Sequence, residues 1–420
     1  MDGARPLWLC LLLLLGVAVA ADPLPADLRA ELAAAEAAAP AEVASYLPDL
    51  RGDDSVDRLT ALLRLRALGP GAAAATLAVA ELLWPPAADQ DLLIDGPTEL
   101  RTGELAAEVL ATFGQPAVRP LVLALCSESA SARSAAGRAL RAISPRWALE
   151  SAARSQLPQL LELLDAESAD VRRAAAVTLG QLADPRAIEV LRGRLLATDE
   201  VVAVRLAAAR ALAGLPGDEV VAALNAAMAD PSPELREAVV VLLGARRPAP
   251  TDALLAALAD TEPKVRASAI SALRYTRDGR VGPAVVPLVA DPDQRVRAAA
   301  VIALGDLRDP SFLDPLYTAL DDPVRHVREE AVASLARIAA PESLARLITV
   351  TQGNEPRLRE LAARALARFP GRASCQTLID LLGDDPLVAQ AAAASLRAIS
   401  RERYGDDPAE WRAWLERQTF

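Results

Sequence analysis

Residues 283–308 read PAVVPLVADPDQRVRAAAVIALGDLR. Pro283 suits the first turn of a helix, where its missing donor is not needed, and Val285, Val286, Leu288 and Val289 give that helix an apolar stripe. Asp291-Pro292-Asp293 interrupts it. Val296, Ala299, Ala300, Ala303 and Leu304 then return at spacings of three and four, which predicts a second helix that Gly305 ends. The turn aspartate is expected to accept backbone N–H groups at the start of the second helix. Gly305, with Gly180, Gly214 and Gly244 at matching places, is expected to relieve the left-handed position just past a helix end.

The pattern recurs along the chain. Val171-Arg172, Val204-Arg205, Leu235-Arg236, Val265-Arg266, Val296-Arg297, Val327-Arg328 and Leu358-Arg359 place their arginines 33, 31, 30, 31, 31 and 31 residues apart. A period of this size is one helix–turn–helix unit, since about 11 residues make a typical helix. Such units bury their apolar stripes only by stacking on one another, so the expected fold is all-α, an α-solenoid of stacked helix pairs. Asp199 and Arg205, Asp230 and Arg236, Asp260 and Arg266, Asp291 and Arg297, and Asp322 and Arg328 each stand six apart. Stacking is expected to set each Arg near its own Asp and the adjacent one, a ladder of charge-assisted hydrogen bonds along the turns. The ladder is expected to fade at Leu358-Arg359, where Gly353 stands in place of the Asp, and at Val388, which Ala389 follows.

These marks resemble the HEAT-repeat family, in particular the short repeats of proteins similar to phycobilisome bilin-lyase subunits. The resemblance rests on Asp291, Val296-Arg297, Ala300, Leu304-Gly305 and Asp309-Pro310, and it covers most of residues 55–400. It implies a binding and scaffold architecture more than a reaction. Upstream, Leu68-Gly69-Pro70, Phe113-Gly114-Gln115-Pro116 and Ala132-Arg133 read as degenerate repeats.

The two ends differ from the body. Residues 1–20 carry Arg5, an apolar run from Leu7 and small residues at Ala18 and Ala20, the pattern of a signal peptide, so an exported, periplasmic or secreted bacterial protein is expected. The run is shorter than a spanning helix needs, and the mature chain is read as having no membrane span. Residues 21–54 are expected to be N-terminal capping helices and residues 55–400 the solenoid. Residues 401–420 are expected to hold a capping helix started by Asp407, Pro408 and Glu410, with Trp411 and Trp414 on one face; such a tail resembles the segment that closes many exported bacterial HEAT proteins. An insertion at residues 84–98 begins at Trp84; Asp89, Asp91, Asp95 and Gly96 there resemble a calcium loop, but Leu92-Leu93-Ile94 occupies ligand positions.

Composition limits the chemistry. The 420 residues carry 45 Lys+Arg against 56 Asp+Glu, a formal charge of −11, which argues against a general nucleic-acid binder and disfavours a strongly acidic partner. His326 is the single histidine, no glycine-rich phosphate loop or C-x-x-C occurs, and Cys126 and Cys375 read as buried hydrophobes. No catalytic residue, metal or cofactor is expected. The function expected is a non-enzymatic protein–protein interaction scaffold that binds a protein or peptide on a concave face lined by second helices. Glu237 and Glu329 on that face, and Trp84, Trp411 and Trp414 at the irregular segments, are the candidate contact residues. A bilin-lyase-like or other chromophore- or ligand-handling enzyme is the alternative that the resemblance suggests.

Overall fold

The computed structural model describes residues 24–84, 91–92 and 100–420. Residues 1–20, read as a signal peptide, lie outside that set, as do residues 85–90 and 93–98 of the insertion with Asp89, Asp95 and Gly96. Regular structure among the described residues is helical apart from one antiparallel pairing, Asp91–Leu92 with Leu100–Arg101. The chain divides into two compact units after Val220.

In the first unit the helices Ala26–Ala37, Ala41–Ala44 and Leu47–Arg51 precede the repeats. Leu28 and Leu32 bury the first of them against the helix Thr76–Glu81. Arg29 and Arg51 both pair with Glu81, and Arg51 also grips Glu36. Contrary to the expectation that no such segment follows the amino-terminal run, residues 55–81 form a stretch long and apolar enough to cross a membrane. Its two helices, Ser55–Leu68 and Thr76–Glu81, are parted at Gly69, whose φ of +55° only glycine takes without strain. Leu62, Leu65, Ala72 and Val79 are fully buried against the rest of the unit, so this is core. The helices Ala169–Leu182 and Val202–Ala213 stack directly on each other further along.

In the second unit the helices Pro233–Ala245, Pro263–Leu273, Gln294–Leu307, Arg325–Ile338, Pro356–Leu366 and Pro386–Ser400 stack in succession as second helices. The first helices are shorter and mixed with tight turns. Pro310–Phe312 leads into Leu313–Ala319, and Pro341–Ser343 leads into Leu344–Thr351. Asp309 caps its turn by accepting the Ser311 N–H at 2.9 Å, so Asp-Pro is the start signal of a first helix. The helix that Pro283 was expected to start begins at Val281 instead. The cap of Gln294–Leu307 is Asp293, which accepts the Arg295 N–H at 2.8 Å, and Asp291 serves another purpose, described below.

The glycines correct the reading of helix ends. Gly180, Gly244 and Gly305 lie inside their helices, Gly214 has a right-handed φ of −77°, and the left-handed positions past second helices are Ala183, Arg308, Ala339 and Arg401. What Gly180, Gly244 and Gly305 permit is close approach of the next second helix. A Cβ at Gly305 would stand 2.8 Å from the Cα of Ser334, and one at Gly180 would stand 2.9 Å from the Cα of Ala211. Ser334 uses that proximity to donate to the Val301 carbonyl at 2.9 Å, and Ser395 donates likewise to Ala363.

The last helix, Pro408–Glu416, is capped by Asp407 and packs on Arg372–Asp380. Trp411 is fully buried, donates its indole N–H to the Gly405 carbonyl at 2.8 Å, and meets Tyr404 and Trp414 edge to face. Trp414 is buried too.

Candidate interaction face

The side chains singled out by the Asp–Arg spacing form a ladder, with a wiring the spacing conceals. Arg236 sends Nε and Nη2 to the two carboxylate oxygens of Asp260, both at 2.8 Å. Arg266 does the same with Asp291, at 2.8 and 2.7 Å, and Arg297 with Asp322, at 2.7 and 3.0 Å. Each Arg thus forks onto the next repeat's carboxylate. Its own Asp contributes a main-chain carbonyl: Arg236 Nη1 donates to the Asp230 carbonyl, Arg266 to that of Asp260, and Arg297 to that of Asp291. Each carboxylate in turn accepts the N–H two residues on, as Asp291 does from Asp293 at 2.9 Å, which closes the turn.

Two corrections follow at the ends of the series. Asp199 is exposed, and the carboxylate that Arg172 grips is Glu200, at 2.7 and 2.8 Å. At the other end the ladder continues where it was expected to fade. Arg328 reaches Glu355 at 2.7 Å, and Arg359 reaches Asp384 at 2.6 Å while taking the Gly353 carbonyl at 3.1 Å. Glycine can fill the place of the missing Asp because only a carbonyl is needed there. In the first unit Arg133 keeps the carbonyl half, donating to Ser127 and Glu128. Arg205 is buried in its helix Val202–Ala213.

At Asp260 and Glu200 the arginine fork favours the ionised carboxylate. The Arg236 hydrogen bonds keep Asp260 below the ordinary carboxylate value against the opposing effect of burial, and Arg172 does so for Glu200. Cys126 shows the contrary case, a thiol that burial pushes up to about 12 even though Thr178 shares a hydrogen bond with it. It is an inert core residue, and Cys375 is buried and raised for the same reason. Among the described residues no group of three or more His, Cys, Asp or Glu is placed to hold a metal ion.

The candidate contact residues are mostly occupied. Glu237 is half-buried and accepts from Ser268, and Glu329 is half-buried in an ion pair with Arg325 at 2.8 Å. Trp411 and Trp414 are inside the cap. Trp84 is half-buried at the edge of the insertion. The solvent-facing position of the second helices stands five residues past each ladder arginine. In the first unit it is Val177 and Arg210, both exposed; in the second it is Val241, Ser271, Ile302, Ala333 and Arg364. No carboxylate occupies this row, although the chain is acidic overall. The repeat period would have revealed the row had the register been carried past the Arg.

Four of the second unit's arginines gather on this face. Arg308, Arg337, Arg364 and Arg368 rim an open groove of about 430 Å³ between the helices Arg325–Ile338 and Pro356–Leu366.

Comparison with known proteins agrees with this architecture. The family description "HEAT repeats" matches residues 146–203, 251–336 and 314–397, and "PBS lyase HEAT-like repeat" matches residues 204–230. No curated protein matches the chain by sequence. Among solved structures, yeast importin-beta (Kap95p) superposes with a TM-score of 0.57 at 15% identity, covering 86% of this chain and 56% of that one. Kap95p bound to RanGDP gives 0.57 at 16% identity over 88% of this chain and 57% of that one, and the Kap95–Nup1 complex gives 0.55 at 16% over 86% and 56%. The chain spans little more than half the length of these structures, and at such identities the likeness is one of fold. The chain is an all-α solenoid built of HEAT repeats.

Proposed function

We propose that this protein is an exported, non-enzymatic scaffold that binds a protein or peptide along the second-helix face of its repeats. The observation that carries the reading is the carboxylate-free row five residues past each ladder arginine, on which Val177 and Val241 are exposed. Within each unit, tight approach of the second helices, at Gly180 in the first and at Gly244 and Gly305 in the second, sets their exposed positions side by side, which suits a surface of many modest contacts. The superposed importin-beta structures, with Ran and Nup1 as partners, support the analogy of mode, and they do not name a partner for this chain. Export rests on residues 1–20, and sequencing of the mature amino terminus is expected to give Ala21.

A photo-crosslinking amino acid at Val241 or Ala333 is expected to capture a protein, and one at Thr349 on a first helix is not. Turnover of a small substrate by the purified chain, or a chromophore held through purification, would instead favour the enzyme reading that the match at residues 204–230 keeps open.

A further inference from the structure

We propose that the groove between the helices Arg325–Ile338 and Pro356–Leu366 binds an acidic peptide segment carrying an apolar side chain. This deepens the scaffold reading and rests on it. The floor is apolar, formed by Val332, Ala333 and Ala336 on one side and Leu361 and Ala365 on the other.

Its rim carries four arginines, and the two carboxylates that pair with any of them, Asp306 and Glu360, are each shared with a further arginine. Asp306 is shared between Arg274, at 2.7 Å, and Arg337, at 3.2 Å. Glu360 is 3% exposed and is shared between Arg357, at 2.7 Å, and Arg364, at 2.6 Å. Both acids are therefore spent. Arg308 and Arg368 are exposed, and no carboxylate among the described residues pairs with either. The Arg337 Nε, buried beside the groove, lacks a hydrogen-bond partner.

Complementing helix C-termini explains a preference for arginine near Arg308 and Arg368. It does not explain why both stay without an ion pair in a chain of net charge −11, where Asp306 and Asp309 flank Arg308 but engage Arg274 and Arg337 and the Ser311 N–H instead. Two unpaired guanidinium groups over an apolar floor offer forked hydrogen bonds to carboxylates and a slot for one hydrophobic residue between them. Local arrangement thus outweighs the expectation, drawn from net charge, that an acidic partner is disfavoured. The rim acts within a Debye length, roughly 10 Å at 0.1 M salt, while most of the net negative charge lies farther off.

Fluorescence anisotropy with the full chain tests this. The probes are a labelled peptide alternating Glu or Asp with Leu, its Lys counterpart, and a single-stranded oligonucleotide of equal charge. The acidic peptide is expected to bind and the Lys peptide not to bind. Arg308→Gln with Arg368→Gln should weaken binding about tenfold or more with only a small change in the thermal melt, while Arg192→Gln in the first unit should leave binding unchanged. Equal affinity of the double variant, no binding of the acidic peptide at about 50 mM salt, or tighter binding of the oligonucleotide would each overturn the proposal. The crosslinks from Val241 separate the two readings: if they form while the acidic peptide fails, the groove assignment falls and the scaffold stands; if both fail, both readings fall.

Discussion

The ladder is strong in the middle of the second unit and frayed toward its end. At Arg236, Arg266 and Arg297 both Nε and Nη2 meet the next carboxylate, whereas Arg328 and Arg359 use Nη2 alone and leave Nε buried without a partner. The turn explains the difference at Arg359. Asp260, Asp291 and Asp322 stand three residues ahead of their second helices and accept the N–H two residues on. Asp384 stands only two ahead of Pro386 and accepts from its immediate neighbour Asp385, which turns the carboxylate away from a forked approach. Glu200 also stands two ahead of its helix and accepts from its neighbour Val201, yet it takes both nitrogens of Arg172 because its side chain is one carbon longer. Turn length and arm length are thus matched where the acid stands two or three residues ahead of its helix: the longer turn suits Asp and the shorter one suits Glu, while Glu355, only one residue ahead of Pro356, takes Nη2 alone despite its longer arm.

The largest expected effect breaks a central step. Arg297→Ala leaves Asp322, whose side chain is 7% exposed, buried without its cation, and Arg266→Ala does the same to Asp291. Losses of about 1–3 kcal/mol are expected in urea denaturation followed by helicity. Arg359→Ala should cost less, since Asp384 is more exposed and holds one contact. Arg280, exposed and off the ladder, should tolerate Ala with little change. Equal shifts for Arg297→Ala, Arg359→Ala and Arg280→Ala would dissolve the distinction between middle and end.

A second break acts through packing. Gly305→Ala puts a methyl against the backbone of Ser334 and so prises apart the two second helices that the Arg297–Asp322 step joins. About 1–3 kcal/mol should be lost. Gly193, inside the helix Ile188–Leu196 with open space around its Cα, should instead gain roughly 0.5–1 kcal/mol on substitution by Ala. A neutral Gly305→Ala would show that the helices have room to separate.

Acid titration sharpens the comparison further. Asp260 is depressed by the Arg236 fork, so its contribution to stability is complete above the ordinary carboxylate value of 3.8 and is lost as pH falls through the native value. The denaturation midpoint should hold between about pH 5 and 8 and drop below about 4. The gap between wild type and Arg236→Ala should narrow over that drop. A gap that stays constant would mean that the ion pair adds nothing beyond packing.

The repeat and its helix pairs were legible because an apolar stripe and a steady period are local, one-dimensional signals. The ladder was half legible. Spacing by six marks an Arg and the carbonyl of its own turn, whereas the ion pairs join residues 24 to 28 apart, such as Arg236 to Asp260 and Arg172 to Glu200, and belong to stacking. For the same reason Gly353 looked like a gap and Glu200 went unnoticed beside Asp199. The glycines misled because a residue at Leu-Gly satisfies two physical demands equally well, a left-handed end and a close crossing, and only the neighbouring helix decides between them. The arginine-rimmed groove was invisible, since neither net charge nor sequence neighbours tell which arginines are left without an ion pair, as Arg308 and Arg368 are.

The smallest expected effect repairs the frayed end. If arm length must match turn length, Asp384→Glu should let the carboxylate reach both Nε and Nη2 of Arg359, as Glu200 does for Arg172. The Arg359 Nε, buried without a partner at present, would gain one. The gain should be modest, about 0.5–1 kcal/mol, because the added hydrogen bond replaces a desolvated donor while a longer side chain is ordered. It should vanish in the Arg359→Ala background, which a double-mutant cycle reads directly. Asp322→Glu in the longer central turn should do the opposite and destabilise, since the extra carbon overshoots Arg297. If both substitutions shift stability in the same direction, the difference between middle and end lies in the position of the repeat along the stack, where terminal repeats have fewer neighbours to hold them, and turn length is not its cause.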